Sequence, residues 1–303
     1  NNVNDLLKNK KKIQDLERKI TIFHAEIAKK IILDTPQIDI VGLHGQTIFH
    51  NSNLKVSKQL GNGKLLSQLI NKNLVFNFRA NDLKNNGEGA PLTPIYHKLI
   101  KLKKNISNPV SFLNIGGIAN ITYFDKKNVM RSQDIGPGNC LIDKWIRINS
   151  TKKYDDKGII ASRGKVNEII LENAIENFNS SKLDNNKSYD IKDFDLSFAR
   201  GLSLEDGAAT LTEFTVNILS QKIKNYSTFL CGGGRKNNFL IKRLYEKSNV
   251  IFKNIDDLEI NGDFVESQAF AYLAIRSFLN LPISFPETTG CSKPCTGGEV
   301  III

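Results

Sequence analysis

Cysteine is scarce in this chain. Its four copies in 303 residues, Cys140, Cys231, Cys291 and Cys295, are too few to staple a fold of this size and fit a reducing compartment. Cys291 and Cys295 make only half of a metal site, with no second Cys or His pair nearby to complete it. Long apolar runs are also missing: no stretch approaches the roughly 18 to 20 residues a membrane span needs. The polar opening Asn-Asn-Val-Asn-Asp lacks the basic-then-apolar order of a signal peptide. These absences read as a soluble, cytoplasmic protein without a membrane partner. A Gly-Lys-Ser or Gly-Lys-Thr ending is absent too, which excludes a Walker phosphate loop.

Acidic residues are outnumbered, 31 against 42 basic ones, for a net charge of +11. The lysines are spread along the whole chain among Asn, Asp and Glu, and aromatic residues do not alternate with them as in a stacking platform. The excess reads as a compositional bias, and no nucleic-acid partner is expected. A chain this long buries roughly three quarters of its unfolded surface and usually forms about two domains.

The pattern begins with a helix in which Ile13, Leu16, Ile20, Phe23, Ile27 and Ile31 recur at spacings of three and four. Residue 1 is Asn, so the chain reads as starting mid-domain. Strands are expected over 38–44 and 74–78, and helices over 61–71 and 91–104, with a loop from Gly45. Pro109 marks a boundary, giving an incomplete N-terminal lobe over 1–108 and a C-terminal lobe over 109–303. Beyond it come three strands (110–115, 118–124, 128–133), a helix over 139–149 and a polar insertion near 150–203 with its own helix near 166–178. Helices over 205–224, 237–247 and 263–279 and strands over 227–231 and 250–253 follow. The first half repeats the order of the second with its three opening strands missing. Two related halves facing one cleft is the simplest α/β arrangement.

Several motifs carry chemistry. Cys231-Gly-Gly-Gly-Arg-Lys-Asn237 lies between a predicted buried strand and a helix, where glycines admit a ligand to the backbone and helix N–H groups face a phosphate or nucleoside. An ordinary glycine turn is the competing reading. Asp134-Ile-Gly-Pro-Gly-Asn139 places a carboxylate at a strand end before a helix, able to accept a proton or hold Mg²⁺, although turn chemistry alone selects the same residues. Leu113-Asn-Ile-Gly-Gly-Ile-Ala-Asn120 has the form of a hairpin whose backbone could wrap phosphate oxygens, or a plain tight hairpin. His44-Gly-Gln-Thr47 clusters donors and acceptors at a strand end. In Phe78-Arg-Ala-Asn-Asp82, followed by Gly87-Glu-Gly-Ala-Pro91, Arg79 could neutralise an anion and Asp82 could work with Mg²⁺. A surface salt bridge between the two explains them equally. Asp263-x-x-Glu266 matches a capping box, so Glu266 could serve only its own helix.

In this order, His44-Gly-Gln-Thr, Asp82 with Gly-x-Gly-Ala-Pro-Leu92, Asn114-x-Gly-Gly-Ile-Ala-Asn, Asp134-x-Gly-Pro-Gly-Asn, Cys-Gly-Gly-Gly234 and Glu266-x-x-Ala-Phe-Ala271 resemble the anhydro-N-acetylmuramic acid kinases from about Val41 to Gly290. The resemblance implies two ribonuclease-H-like domains of the actin-like ATPase fold around a cleft holding ATP and Mg²⁺. It implies opening of the 1,6-anhydro ring of the sugar by water with phosphorylation of O6, giving N-acetylmuramic acid 6-phosphate in peptidoglycan recycling. By the same resemblance Asp134 is the general base. Gly232, Gly233 and Gly234 contact the nucleoside. Gly116, Gly117, Gly136, Gly138 and Asn139 line the phosphate side, and His44, Gln46, Arg79, Asp82 and Glu266 reach the sugar. Related kinases are often homodimers.

The chain departs from the family at Ile135, commonly Thr, and at Glu88, usually Gln. It also lacks the family's opening strand pair with its Gly-Thr-Ser-x-Asp-Gly phosphate loop, so the expectation is weak ATP binding and little turnover. The alternatives are a non-catalytic actin-like nucleotide- or sugar-binding module, and another kinase of the superfamily.

Overall fold

The computed structural model describes residues 8–181 and 189–303, so residues 182–188 of the expected insertion lie outside it. Two compact units divide the chain: 1–96 with 266–303, and 97–265. This differs from the expected boundary at 108. Residues from 97 onward join the second unit because the buried His97 ring stacks on Phe112, 5.0 Å between centroids, and Nδ1 bonds Thr122 Oγ1 at 2.9 Å. The C-terminal segment returns to the first unit because Phe270, Leu273 and Ala274 share a core with Val75 and Phe78. Neither packing leaves a local pattern in sequence.

In the first unit, helix α1 (Lys10–Asp34) precedes strand β1 (Ile40–Leu43). A hairpin of β2 (Gln46–Asn51) and β3 (Val56–Leu60) occupies the segment expected to be loop. Helix α2 (Gly63–Ile70) leads to β4 (Asn73–Phe76), which lies parallel to β1. The short helix α3 (Ala80–Lys84) and the start of α4 (Pro94–Lys103) follow. From the far end of the chain come α9 (Val265–Phe278), α10 (Pro286–Thr289) and β10 (Glu299–Ile301). Strand β10 pairs antiparallel with β4 and was not foreseen. The sheet order is β1-β4-β10, and no three-stranded meander joins it among the described residues.

The second unit carries a five-stranded sheet in the order β7-β6-β5-β8-β9. Strands β5 (Val110–Ile115), β6 (Ile118–Phe124) and β7 (Met130–Pro137) form an antiparallel meander. Strands β8 (Ser227–Cys231) and β9 (Phe252–Asn254) add in parallel to β5. A meander continued by parallel strands is the ribonuclease-H-like arrangement. Its helices are α5 (Cys140–Asn149), α6 (Glu168–Ser180), α7 (Leu204–Lys222) and α8 (Asn238–Ser248). One sheet face packs Leu113, Ile121 and Ile135 against Val216, Leu219 and Leu240. The segment 150–203 is no appendage: Ile160, Leu171, Phe178 and Phe194 sit in one cluster with Trp145, Leu211 and Phe214.

Helix α7 is buried without interruption from Gly207 to Leu219. Burial on all sides leaves no room at its first turns, where a Cβ on Gly207 would stand 2.2 Å from Trp145 Cζ2. Gly207→Ala is therefore expected to cost about 1–3 kcal/mol, because a packed core yields only by shifting neighbours. Urea unfolding followed by Trp145 fluorescence checks this, and an unmoved midpoint would refute it. Burial also lowers the His97 pKa from 6.5 to about 3. Between those values the unfolded chain takes up the proton and the folded one does not, so its stabilising contribution is present above pH 6.5 and lost as pH falls. Unfolding midpoints measured from pH 7 downward should decline, and His97→Asn should make that decline shallower.

Candidate functional site

Strand β6 runs antiparallel to both β5 and β7, and β8 is parallel to β5, so β5, β7 and β8 end at one edge of the sheet. At such a carboxyl edge α/β sheets take their ligands. Three glycine turns leave it: Gly116-Gly117 after β5, Gly138-Asn139 between β7 and α5, and Gly232-Gly233-Gly234 after β8. The first two are tied backbone to backbone. Gly138 N–H donates to Gly117 O at 2.9 Å, Asn139 N–H to Gly116 O at 2.8 Å, and Cys140 N–H to Gly117 O at 3.2 Å. Only glycine permits this approach, since a Cβ on Gly138 would lie 2.2 Å from Gly116 O.

The third turn presses on the first. Gly232 has φ +78°, and a Cβ there would lie 2.4 Å from Asn114 Oδ1 and 2.8 Å from Ile115 O. Gly233, by contrast, is exposed and faces open space. Arg235, read in sequence as part of a ligand motif, turns inward and clamps the corner. Its Nη1 donates to Gly232 O at 3.0 Å and to Asp263 Oδ1 at 2.7 Å, and its Nε donates to Asp256 Oδ2 at 2.7 Å. Burial works against the guanidinium charge, but hydrogen bonds to Asp256 and Asp263 outweigh it and raise the Arg235 pKa. Asp263 thus serves this clamp, whatever it does for the helix that begins at Val265.

Asp134 sits inside β7, not in a turn, because the strand continues to Pro137. The pairing shifts register there: Asn120 opposes Asp134 and Ala119 opposes Gly136, so Ile135 is a bulge residue. Bulges bend a strand and re-aim its side chains. Gly136 lies just after it with φ +151°, close against Ile218. The half-buried Asp134 accepts Tyr189 N–H on Oδ2 at 2.9 Å. Tyr189 escaped sequence reading because a backbone donor carries no residue-type signature. Its ring is buried against Phe194, and its hydroxyl accepts from Lys222 Nζ at 3.2 Å. Asp134 and the Gly232 corner both fall in the C-terminal lobe expected over 109–303. They belong to one unit and one sheet, with β6 and β5 between their strands.

The remaining candidates belong to the first unit. His44 follows β1 and Arg79 precedes α3. Arg79 Nη2 lies 2.9 Å from His44 Nε2, and Nη1 donates to Gly89 O at 2.7 Å. Gly89 N–H donates to Asp82 Oδ2 and Thr289 Oγ1 to Asp82 Oδ1, both at 2.6 Å. Arg79 and Asp82 are therefore joined through the loop backbone and do not form the surface salt bridge considered above. Asp82 is buried with both oxygens engaged, so it does not fit the role of a magnesium ligand. Burial, then the Arg79 charge, push His44 down to about 4, against a hydrogen bond with the Gly45 backbone. The imidazole is thus neutral at pH 7. It borders a cavity of about 360 Å³ lined also by Lys58, Gln59, Asn62 and Phe76. Gln46 is exposed at the start of β2 and Glu266 is exposed on α9, neither belonging to the His44–Arg79–Asp82 chain.

All four cysteines are buried and unbridged, and the described residues bring no three His, Cys, Asp or Glu side chains together as a metal site. No helix among them is long and apolar enough to cross a membrane.

Comparison with known proteins meets this geometry. A family model described as anhydro-N-acetylmuramic acid kinase matches residues 3–302. The chain is 50% identical over 315 residues to the anhydro-N-acetylmuramic acid kinase of Pelagibacter ubique (strain HTCC1062), covering 99% of this chain and 84% of that one. It is 38% identical over 298 residues to the one of Zymomonas mobilis subsp. mobilis, covering 95% and 81%. A solved gluconate kinase from Lactobacillus acidophilus aligns over 78% of this chain and 48% of that one, at 12% identity and a TM-score of 0.38. The expectation of impaired turnover is not borne out, since the match spans most of its relatives' length. With the family model matching residues 3–302 and half of the aligned positions identical to the Pelagibacter enzyme, the chain is a kinase and belongs to the anhydro-N-acetylmuramic acid kinase family.

Proposed function

We propose that the chain converts 1,6-anhydro-N-acetylmuramic acid, ATP and water to N-acetylmuramic acid 6-phosphate and ADP, in the cytoplasm, as a step of peptidoglycan recycling. The observation that carries this reading is Asp134, set by a β-bulge on the same sheet edge from which three glycine turns emerge. In the reaction, water attacks the anomeric carbon, the bond from that carbon to O6 breaks, and O6 takes the γ-phosphoryl group. Asp134 accepts the proton that the water loses. The Tyr189 N–H donates to Asp134 Oδ2 at 2.9 Å and helps to orient the carboxylate.

Gly116, Gly117, Gly136, Gly138 and Asn139 line the phosphate side of the nucleotide, and the Gly232–Gly234 corner takes the nucleoside, with Gly233 the open point of approach. Positioning and fixed dipoles supply most of phosphoryl-transfer catalysis, so a turn clamped by Arg235 suits the task. Neutral His44 and the Arg79 held beside it bind the sugar, with Gln46 and Glu266 as outer contacts. Asp82 acts through the loop it fastens. Among the described residues no three His, Cys, Asp or Glu side chains gather as a cage for Mg²⁺. The ion therefore comes with the triphosphate, as is usual where substrate phosphates provide its ligands, and no step above is drawn through it.

Asp134→Asn tests the assignment. In a coupled ADP-release assay with anhydro-N-acetylmuramic acid, kcat should fall by about 10³-fold, within the range for loss of a general base. Calorimetry should show sugar affinity retained. Wild-type turnover by the variant would remove Asp134 from the chemistry, and absence of turnover in the unmodified chain would favour a binding module.

A further inference from the structure

One row of polar side chains crosses the second unit's sheet. Ladder partners place Asn114 opposite Asn120 and Asn120 opposite Asp134. Directly opposed residues project from the same face of a sheet. The preceding row on that face is Phe112, Thr122 and Ser132, and the opposite face is the apolar cluster under α7. Asparagine is disfavoured in strand interiors, yet two stand side by side here on neighbouring strands. The first has an evident structural part, since its Oδ1 abuts the Gly232 corner.

Asn120 has no such part in the fold. Its Oδ1 is buried and has no hydrogen-bond partner. A buried acceptor left open is uncommon and calls for an explanation. A carboxamide facing a carboxylate is best oriented with its N–H₂ toward the anion, which leaves the oxygen for something else. The attacking water has two protons, and a general base removes only one. The second stays on the new anomeric hydroxyl and needs an acceptor while the oxygen is oriented for attack.

We propose that Asn120 Oδ1 is that acceptor. Asp134 takes the proton that leaves and Asn120 holds the one that stays, so the two side chains together fix the direction of the water's lone pair. No further proton or electron enters the step. This inference rests on the reading of Asp134 as the general base.

The test uses Asn120→Ala, Asn120→Ser and Asn120→Asp beside Asp134→Asn, in the same ADP-release assay at saturating ATP, with sugar and ATP affinities by calorimetry. Asn120→Ala should lower kcat by about 10²-fold, as for loss of one preorganised hydrogen bond in a site, with sugar affinity held within about threefold. Asn120→Ser, which restores an acceptor oxygen, should recover about tenfold of that loss. In Asn120→Asp a second carboxylate beside Asp134 should raise the acid limb of the kcat profile by about one pH unit. The serine variant keeps the test open if the alanine one fails to fold. The inference is overturned if Asp134→Asn is inactive while Asn120→Ala and Asn120→Ser turn over at the wild-type rate and the pH profile of Asn120→Asp is unmoved. Wild-type turnover by Asp134→Asn overturns the underlying reading instead, whatever Asn120 does.

Discussion

Backbone packed directly on backbone at the sheet's carboxyl edge is the constraint from which the second unit's geometry follows. With Gly138 against the Gly116 carbonyl at a distance no Cβ could tolerate, three successive N–H groups, 138 to 140, fall on the carbonyls of residues 116 and 117. That fixes where β7 ends and α5 begins. It also fixes Asp134, because only the bulge residue and Gly136-Pro137 separate it from the tied turn. A side chain at any of these contacts would widen the turns and move the acid with them. The glycines therefore serve positioning as much as ligand access, and both roles need the same missing atoms.

Charge is spent on the same end. Arg235 is almost wholly buried, and the two carboxylates holding it are partly exposed, so the cation is the member that gives up water. Such an arrangement contributes little through Coulomb attraction across solvent-facing oxygens. What it does supply is direction: a planar fork bonding one backbone carbonyl and two acids has a single fitting orientation. The Gly232 carbonyl is thereby held.

Much of this was legible from residue order. Strands β5, β6 and β8 fall where periodicity places them, since each is a short apolar run closed by glycine or a polar turn. The β2–β3 hairpin was missed because its Ser52-Asn53-Leu54-Lys55 connection contains no glycine and no Asn-Gly signal. Strand β10 has three residues and exists through pairing with β4 more than 200 positions earlier, which no local window sees. At the site, the glycine turns and Asp134 could be picked out by type and spacing. Tyr189 and the outward consequence of Arg235 turning inward could not, because one acts through its backbone and the other through a rotamer.

The two departures from the family pattern can now be weighed by where they point. Ile135 replaces a residue commonly Thr, one position after the acid, where a lost hydroxyl would be expected to disturb the carboxylate. As the bulge residue, however, it projects into the apolar cluster with Leu113, Val216 and Leu219 and is fully buried. A hydroxyl there would need a partner among hydrocarbons, whereas isoleucine fills the space outright. The carboxylate itself accepts the Tyr189 N–H. Glu88 differs from the usual Gln only in its side chain, and its backbone N–H donates to Thr289 O at 2.8 Å. Because Thr289 also donates to Asp82, that loop is fastened at two points independent of the side chain at position 88.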